Sequence, residues 1–237
     1  RTFILSMGAS KNTNLMGWDK IWAMNKAVVD PTAHRLTVLL ADGLVPLELD
    51  GGPAEPYVSS VHAHPKDESL GVKMRVYAPR VLLQADDADA TKEGEEITLM
   101  SWGNAKITTV ARGPDGNVSA LRGTLNLAGD VKATKRKLTW LADTKERVVA
   151  ELVDYEHLLT QDKVEEGDEL EEILTPKTEF VYSASGEAAL RGVAKGQIIQ
   201  VERRGYYICD APFMRAADPV RLLFIPDGKN MVGVKRA

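Results

Sequence analysis

The sequence has few of the residues that build disulfides, metal sites or histidine-dependent catalytic sites. Cys209 is the only cysteine in 237 residues, which excludes an intrachain disulfide framework and a cysteine-based zinc site. There are four histidines, and the one close pair, His62 and His64, has no further histidine or cysteine nearby to complete a ligand set. We therefore expect a polar loop before Pro65 rather than a metal site. The sparing use of cysteine fits a reducing compartment, and we expect a cytoplasmic protein.

Long apolar runs and common catalytic motifs are also missing. No stretch reaches the roughly 18 consecutive apolar residues that a membrane helix needs, and the first residues do not resemble a signal peptide. There is no glycine-rich phosphate loop, no dinucleotide-binding Gly-x-Gly-x-x-Gly and no Gly-x-Ser-x-Gly elbow. We expect a soluble binding module that does not contact membranes. Because the chain begins with Arg1 and not with methionine, we also expect it to be part of a longer protein.

The first thirty residues carry a helical pattern. Apolar residues recur at three- and four-residue spacing after polar residues that can cap a helix. The apolar residues at this spacing are Leu15, Trp18, Ile21 and Trp22, the polar Asn25 continues the spacing, and the candidate caps are Ser10, Thr13 and Asn14. We predict a helix that buries both tryptophans in the core and ends before Pro31, since a residue before proline avoids the helical region.

After Pro31 the pattern changes to short β-branched or alternating runs bounded by Gly, Pro, Asp or Asn. The predicted strands are 35–40, 44–49, 72–76, 96–100, 106–110, 118–127, 137–141, 147–152, 179–183, 197–202 and 206–210. The Pro-Asp-Gly-Asn turn at 114–117 predicts a hairpin over about 106–127. So many short strands predict a mainly β protein of barrel or sandwich type.

Charge is unevenly distributed along the chain. The formal net charge is −4, yet Lys132, Lys135, Arg136 and Lys137 fall within six residues, directly before a β-prone run that contains Trp140. This concentration favours a phosphate-binding surface, with an ordinary solvated turn as the alternative. The stretch 165–172 carries six carboxylates in eight residues, and we expect a solvated loop or short helix that stays away from any polyanion.

Two other segments combine the side chains that recognise unpaired bases. Trp102, Asn104 and Lys106 offer a ring, an amide and a cation, although a tryptophan buried at a strand end is an equally good interpretation of Trp102. In 200–205, a regular strand would place Gln200 and Arg204 on one face and Arg203 on the other, unless Gly205 marks a bulge. Arginine and glutamine can reach base edges, whereas lysines suit phosphates.

These segments, in their order along the chain, resemble the C-terminal half of eukaryotic cytosolic glutamyl-tRNA synthetases, which are class I enzymes related to glutaminyl-tRNA synthetases. The resemblance covers essentially the whole chain. The segments that carry it are Ser10-Lys11-Asn12, Trp18-Asp19-Lys20-Ile21-Trp22, Asn25-Lys26, Val29-Asp30-Pro31, His64-Pro65-Lys66, Gly71-Val72-Lys73, Trp102-Gly103-Asn104, Lys135-Arg136-Lys137-Leu138-Thr139-Trp140-Leu141 and Gln200-Val201-Glu202-Arg203-Arg204-Gly205-Tyr206-Tyr207.

The resemblance implies a mainly β fold with two β-barrels that bind the tRNA anticodon, preceded by a short helical connector. The connector would be residues 1–30. The proximal barrel would be formed by 31–79 and 176–237, and the distal barrel by 80–175.

The resemblance also implies a function. The parent enzyme would join glutamate to tRNA(Glu) with ATP and magnesium, both belonging to a catalytic domain whose signature motifs do not occur in this chain. This chain would then need no cofactor of its own, bind tRNA without charging it and contact no DNA, with other synthetases or scaffold proteins of a multi-synthetase complex as further partners. Two alternatives stay open: the same region of a glutaminyl-tRNA synthetase, and a non-catalytic barrel module that docks an acidic protein.

Candidate tRNA contacts follow residue by residue. Gln200 and Arg203 match a Gln-x-x-Arg pair that reads the middle anticodon base in glutaminyl enzymes, and Lys66 falls near the same bases. Thr98 and Met100 stand where the bacterial glutaminyl enzyme has two arginines, so Trp102 and Asn104 are the substitute candidates for the first base. The expected contacts to the tRNA backbone are Lys11, Lys73, Lys132, Lys135, Arg136, Lys137 and Arg204.

Overall fold

The computed structural model describes residues 1–8, 11, 18–161 and 163–228. Helices α1 (Thr2–Met7) and α2 (Trp18–Val29) come first, and α2 ends before Asp30-Pro31 as the sequence predicts. The predicted caps Ser10, Thr13 and Asn14, together with Leu15, lie outside the described residues. Burial of both tryptophans is wrong for Trp18, whose surface is 62% exposed. Trp22 is half-buried against the ring of His157, with 5.9 Å between ring centroids.

Strands follow from His34 onwards, with few short helices between them. The strands are β1 His34–Leu36, β2 Val38–Leu40, β3 Val45–Asp50, β4 Tyr57–His62, β5 Val72–Tyr77, β6 Arg80–Leu83, β7 Glu96–Leu99, β8 Gly103–Arg112, β9 Val118–Asn126, β10 Lys137–Leu138, β11 Leu141–Ala142, β12 Val148–Tyr155, β13 Glu179–Gly186, β14 Ile198–Val201, β15 Gly205–Ala211 and β16 Val220–Ile225. The remaining helices are α3 Ala85–Asp89, α4 Leu170–Ile173 and the 3-10 turns Glu68–Leu70 and Ala188–Gly192. The predicted mainly β fold is confirmed.

The first barrel is a seven-stranded sheet in the order β1-β14-β15-β16-β12-β13-β2. Its two outermost strands, β1 and β2, are separated along the chain only by Thr37, so the sheet curls round to meet itself at one bent segment. The backbone groups of Thr37 are bonded to Glu187 instead of to a strand: its N–H donates to Glu187 Oε1 at 2.9 Å, and its carbonyl accepts from the Glu187 N–H at 3.0 Å. Buried side chains such as Leu152, Ile199 and Tyr207 fill the interior.

The second barrel closes in the same way. Its order is β10-β7-β8-β9-β3-β6-β11, and the end strands β10 and β11 are separated along the chain only by Thr139 and Trp140. The predicted hairpin forms from β8 and β9, with Gly116 at a φ of 83° in its turn, where glycine is favoured. Leu47, Ile97 and Ile107, all fully buried, belong to its core.

Strand pairing assigns two segments to a different barrel from the one that the predicted boundaries give them. Strand β3, inside the predicted proximal segment 31–79, pairs with β6 and β9 of the second barrel. Strand β12, inside the predicted distal segment 80–175, pairs with β13 and β16 of the first barrel. The antiparallel pair β4–β5 forms a separate two-stranded sheet.

Candidate nucleic-acid interface

Gln200 lies at the centre of a row of three polar side chains on the first barrel. Strand β14 pairs with β1 on one side and β15 on the other, and the register places Arg35 and Tyr206 directly opposite Gln200. Residues opposite each other across neighbouring strands project from the same face of a sheet. Gln200 is only partly buried and is the member of the row open to a ligand, whereas Tyr206 is buried.

Arg35 connects this row to the loop that carries Lys66. One guanidinium nitrogen, Nη1, donates to Oε1 of Gln200. The other, Nη2, lies 2.7 Å from Asp30 Oδ1 and 3.1 Å from Nε2 of the buried His64. The backbone N–H of the exposed Lys66 points to Nδ1 of the same imidazole, at 3.2 Å. The structure therefore brings Gln200 and Lys66 to one site, joined through Arg35 and His64.

Asp30 is held as an anion beside these cations. A hydrogen bond from the Tyr206 hydroxyl and a second from Arg35 lower the pKa of the Asp30 carboxyl below its ordinary 3.8. Burial and the hydrogen bond to that carboxylate raise the pKa of Tyr206 above 10, so the phenol keeps its proton and donates. Asp30 offsets part of the positive charge of Arg35, while the ammonium group of Lys66 extends into solvent.

Arg203 does not join Gln200 in this arrangement. Strand β14 ends at Val201, and 202–204 form a turn in which Arg203 has a φ of 63°, so the predicted strand alternation stops before Arg203. Its guanidinium makes two hydrogen bonds to Asp87 of α3, at 2.5 and 2.9 Å, and its side chain is 39% exposed. Arg203 thus belongs to a contact with the α3 segment.

Asn104 is built into the second barrel and does not reach the surface. It is 1% exposed; its Oδ1 accepts from Thr98 at 2.8 Å, and its Nδ2 donates to Glu96 and to the Asp130 carbonyl. Trp102 is half-buried and packs on Trp140, with 4.7 Å between ring centroids. A base contact by Asn104 would require these hydrogen bonds to break.

The basic run of 132–137 is only partly available to phosphates. Lys132, Lys135 and Lys137 are exposed, but the Lys137 ammonium donates to the carbonyl of Thr134, and the half-buried Arg136 donates to Glu95 at 2.9 Å. Glutamates 93, 95 and 96 line the cleft beside Lys135 and Arg136. Lys132 and Lys135 have exposed ammonium groups with no bonded partner among the described residues, so they are the cations of the run best suited to a polyanion, and the neighbouring carboxylates weaken the contribution of Lys135.

The remaining predicted backbone contacts differ widely in exposure. Lys11 is exposed, while its sequence neighbours lie outside the described residues. The ammonium of Lys73, whose side chain is 7% exposed, bonds to Glu187 at 2.5 Å and to the Arg35 carbonyl at 2.6 Å. Arg204 is 14% exposed and donates to the hydroxyl of Tyr207 at 2.9 Å. Neither Lys73 nor Arg204 can reach a phosphate while these contacts hold.

The acidic stretch and the histidine pair have ordinary structural roles. The acidic residues of 165–172 are exposed and include the start of α4, as predicted. His62 is exposed beside Glu68, and His64 is bonded as described above. Within the described ranges, no three or more metal-ligating side chains come together. In the same ranges, no helix has both the length and the apolarity to cross a bilayer.

Comparison with known protein families decides what this pair of barrels is. Two models described as "tRNA synthetases class I (E and Q), anti-codon binding domain" match the chain, one at residues 33–126 and the other at 137–210. The chain belongs to this family. The two matches together include β1 to β14 and all of β15 except its last residue, so the family assignment extends over strands of both barrels.

Individual relatives agree with this assignment. The chain is 44% identical, over 96% of its length, to a protein of Arabidopsis thaliana named "Glutamate--tRNA ligase, cytoplasmic". It is 42% identical over its full length to the protein of the same name in Saccharomyces cerevisiae, and 35% identical over 96% to a "Bifunctional glutamate/proline--tRNA ligase" of Mus musculus. It spans about a third of the first two relatives, 32% and 33%, and 16% of the third.

In these anticodon-binding barrels, a buried group of charges joins one barrel to the other. We call it the junction cluster; its charged members are Lys73, Arg75, Glu187 and Glu202, and it includes the Thr37 hydroxyl, which bonds to Arg75 and Glu202. Arg75 is 2% exposed; it donates to the Thr37 hydroxyl of the first barrel at 2.6 Å and to the Met100 carbonyl of the second at 3.1 Å, and it stacks on the Trp140 ring at 4.8 Å. Sequence analysis missed this cluster because its charges lie far apart along the chain.

Proposed function

We propose that this chain is the anticodon-binding region of a glutamate–tRNA ligase and that it binds tRNA(Glu). The observation that carries the proposal is the full-length similarity to proteins named glutamate–tRNA ligase, at 42% to 44% identity. The site on the first barrel supplies the chemistry, since Gln200 and Lys66 present hydrogen-bond donors that suit the acceptor atoms of an unpaired base.

Affinity would come mainly from phosphate contacts, and specificity from contacts to base edges. In this chain the exposed cations Lys132 and Lys135 suit the first task, and Lys11 adds a third exposed cation. Gln200 with Lys66 suits the second. Asn104, by contrast, acts through the stability of the second barrel.

The activity of the whole enzyme is part of the proposal. The parent protein would join glutamate to tRNA(Glu), with ATP and magnesium bound by a catalytic domain outside this chain, in the cytoplasm like the two relatives whose names say so. The likeness to a bifunctional glutamate/proline ligase supports further partners of the synthetase or scaffold type. This chain alone would bind tRNA without aminoacylating it.

The experiment that tests the proposal measures the affinity of this chain for tRNA(Glu), tRNA(Gln) and an unrelated tRNA at about 150 mM salt, where phosphate contacts alone bind weakly. We expect tRNA(Glu) to bind tightest. A preference for tRNA(Gln) would favour the glutaminyl alternative. Absence of salt-sensitive tRNA binding would contradict both and favour a protein-docking module.

Gln200→Ala tests whether Gln200 contributes to the recognition of tRNA(Glu). Arg221→Ala is the control on the same barrel, because Arg221 pairs with Glu179 on β13, away from Gln200. We expect Gln200→Ala to lower the preference for tRNA(Glu), whereas Arg221→Ala keeps it. Equal loss in both variants would mean that the preference does not depend on Gln200 in particular.

A further inference from the structure

The carboxamide of Gln200 has one defined orientation. A guanidinium group carries donors only, so the atom of Gln200 that faces Arg35 Nη1 must be the oxygen, because the amide nitrogen there would place donor against donor. The NH2 group therefore points away from Arg35. Its nitrogen makes no hydrogen bond to any residue that the structure describes, so it is available to a ligand.

Arg35 is itself fixed from several sides. Its side chain is 11% exposed, its Nη2 is bound to the Asp30 carboxylate at 2.7 Å, and its guanidinium carbon lies 6.0 Å from the centre of the Tyr206 ring. Asp30 is held in place as well, because the Tyr206 hydroxyl donates to the same carboxylate oxygen that binds Arg35. Rotation of Arg35 would break the ion pair, so the orientation of Gln200 is set before any ligand binds.

We propose that Arg35 is a positioning residue that fixes the hydrogen-bonding polarity of Gln200, so that the site accepts a base edge bearing an acceptor and rejects one bearing an amino group. The proposal rests on the proposed function and adds the contact, from Arg35 to Gln200, that determines which bases the site recognises. Uracil and guanine carry a keto oxygen at the atom where cytosine and adenine carry an NH2 donor. Gln200 offers its NH2, and Lys66 adds a second donor, so the site selects keto bases.

The role of Arg35 is separable from that of Gln200. Arg35 Nη1 points at the amide oxygen and not at the ligand side, so it acts through Gln200. Without the guanidinium, the carboxamide can rotate by half a turn and present its oxygen instead. A site that presents either group at similar cost no longer distinguishes keto from amino bases, although it still binds RNA.

The test compares tRNA(Glu) transcripts that carry uracil or cytosine at the middle anticodon position, with dissociation constants measured for this chain and for Arg35→Met. We expect the unaltered chain to prefer uracil by about 5- to 150-fold, the range of one good base contact. We expect Arg35→Met to reduce the preference to within about threefold, mainly through tighter binding of the cytosine transcript. Arg122→Met is the control; Arg122 pairs with Glu48 on the second barrel, and the preference should persist.

The outcomes separate this inference from the proposed function. If the unaltered chain shows no preference between the two transcripts, the anticodon readout proposed for this site fails, and the inference fails with it. If it prefers uracil and Arg35→Met keeps the whole preference, only the positioning role of Arg35 is overturned.

If Arg35→Met does not fold, a second variant tests the orientation of Gln200 on which the inference rests. Gln200→Glu keeps an oxygen next to Arg35 and replaces the free NH2 with an acceptor. We expect it to bind the cytosine transcript at least as tightly as the uracil transcript. Retention of the uracil preference in this variant would overturn the inference.

Discussion

Replacing Arg75 by methionine tests whether the junction cluster holds the two barrels together. Methionine fills a similar volume but removes a cation that is 2% exposed and lies between two buried carboxylates. The nearest oxygens of Glu187 and Glu202 are each 3.7 Å from the guanidinium. Glu187 keeps the ammonium of Lys73 in the variant, so Glu202 is the carboxylate left without a cation.

The magnitude follows from that uncompensated charge. Removal of one partner of a buried ion pair costs about 3–5 kcal/mol, because the remaining charge stays desolvated. The free energy of unfolding should fall by this amount, and the melting temperature by about 6–20 °C, since a domain of this size loses roughly 2–4 °C per kcal/mol. Adding Glu202→Gln to Arg75→Met removes the orphaned charge and should recover about half of the loss.

Urea unfolding followed by tryptophan fluorescence measures the free energy of unfolding, and a thermal scan with the same probe measures the melting temperature, since Trp140 lies against Arg75. Arg122→Met removes an exposed arginine of the second barrel and serves as the control. The reasoning is refuted if Arg75→Met unfolds at the same urea concentration as the control. It is also refuted if Glu202→Gln makes Arg75→Met less stable instead of more.

Three further predictions concern single sites. Changing Lys132 and Lys135 together to alanine should weaken binding of every tRNA alike and lower the slope of log affinity against log salt by about 1–2; a loss confined to one tRNA would contradict this. Asn104→Ala should lower the free energy of unfolding by about 1–3 kcal/mol, because buried partners lose their hydrogen bonds, and leave the ratio of affinities between tRNAs unchanged. Asp30 has a pKa lowered from 3.8, so its contribution is present above that pH and disappears as pH falls through the folded-state value. The stability difference between the unaltered chain and Asp30→Asn, followed by urea unfolding, should therefore shrink below pH 3.8, and a constant difference would exclude this role.

The sequence predicted local elements well where turn chemistry is distinctive. The β8–β9 hairpin follows from the Pro-Asp-Gly-Asn turn, whose geometry depends on neighbouring residues. Strands β4, β6 and β16 were missed. In β4, Ser59 interrupts the apolar pattern because it lies opposite Arg75 of β5, on the face of this two-stranded sheet that carries the buried charges of Lys73 and Arg75.

Contacts between residues that are distant along the chain explain the other differences between the predicted and the observed structure. The predicted strand 137–141 is interrupted at Thr139-Trp140, where the chain passes from one partner strand to another, and no local pattern encodes such a bend. Lys73 and Arg204 have the sequence signature of surface cations, but each meets a carboxylate, Glu187 and Asp154 respectively, that is distant along the chain. The partnership of Arg35 with Gln200 depends in the same way on strand register.

Closure of the first barrel at Thr37 has a consequence for the order of events during synthesis. Strands β1 and β2 leave the ribosome early, but their partners β13 and β14 are made only after the whole second barrel. The second barrel can therefore complete its core while the early segment is still unpaired. Contacts so distant in sequence form slowly, because a long loop must close before they stabilise anything. We expect the emerging chain to acquire its protease resistance in two steps, with the 45–142 region protected first.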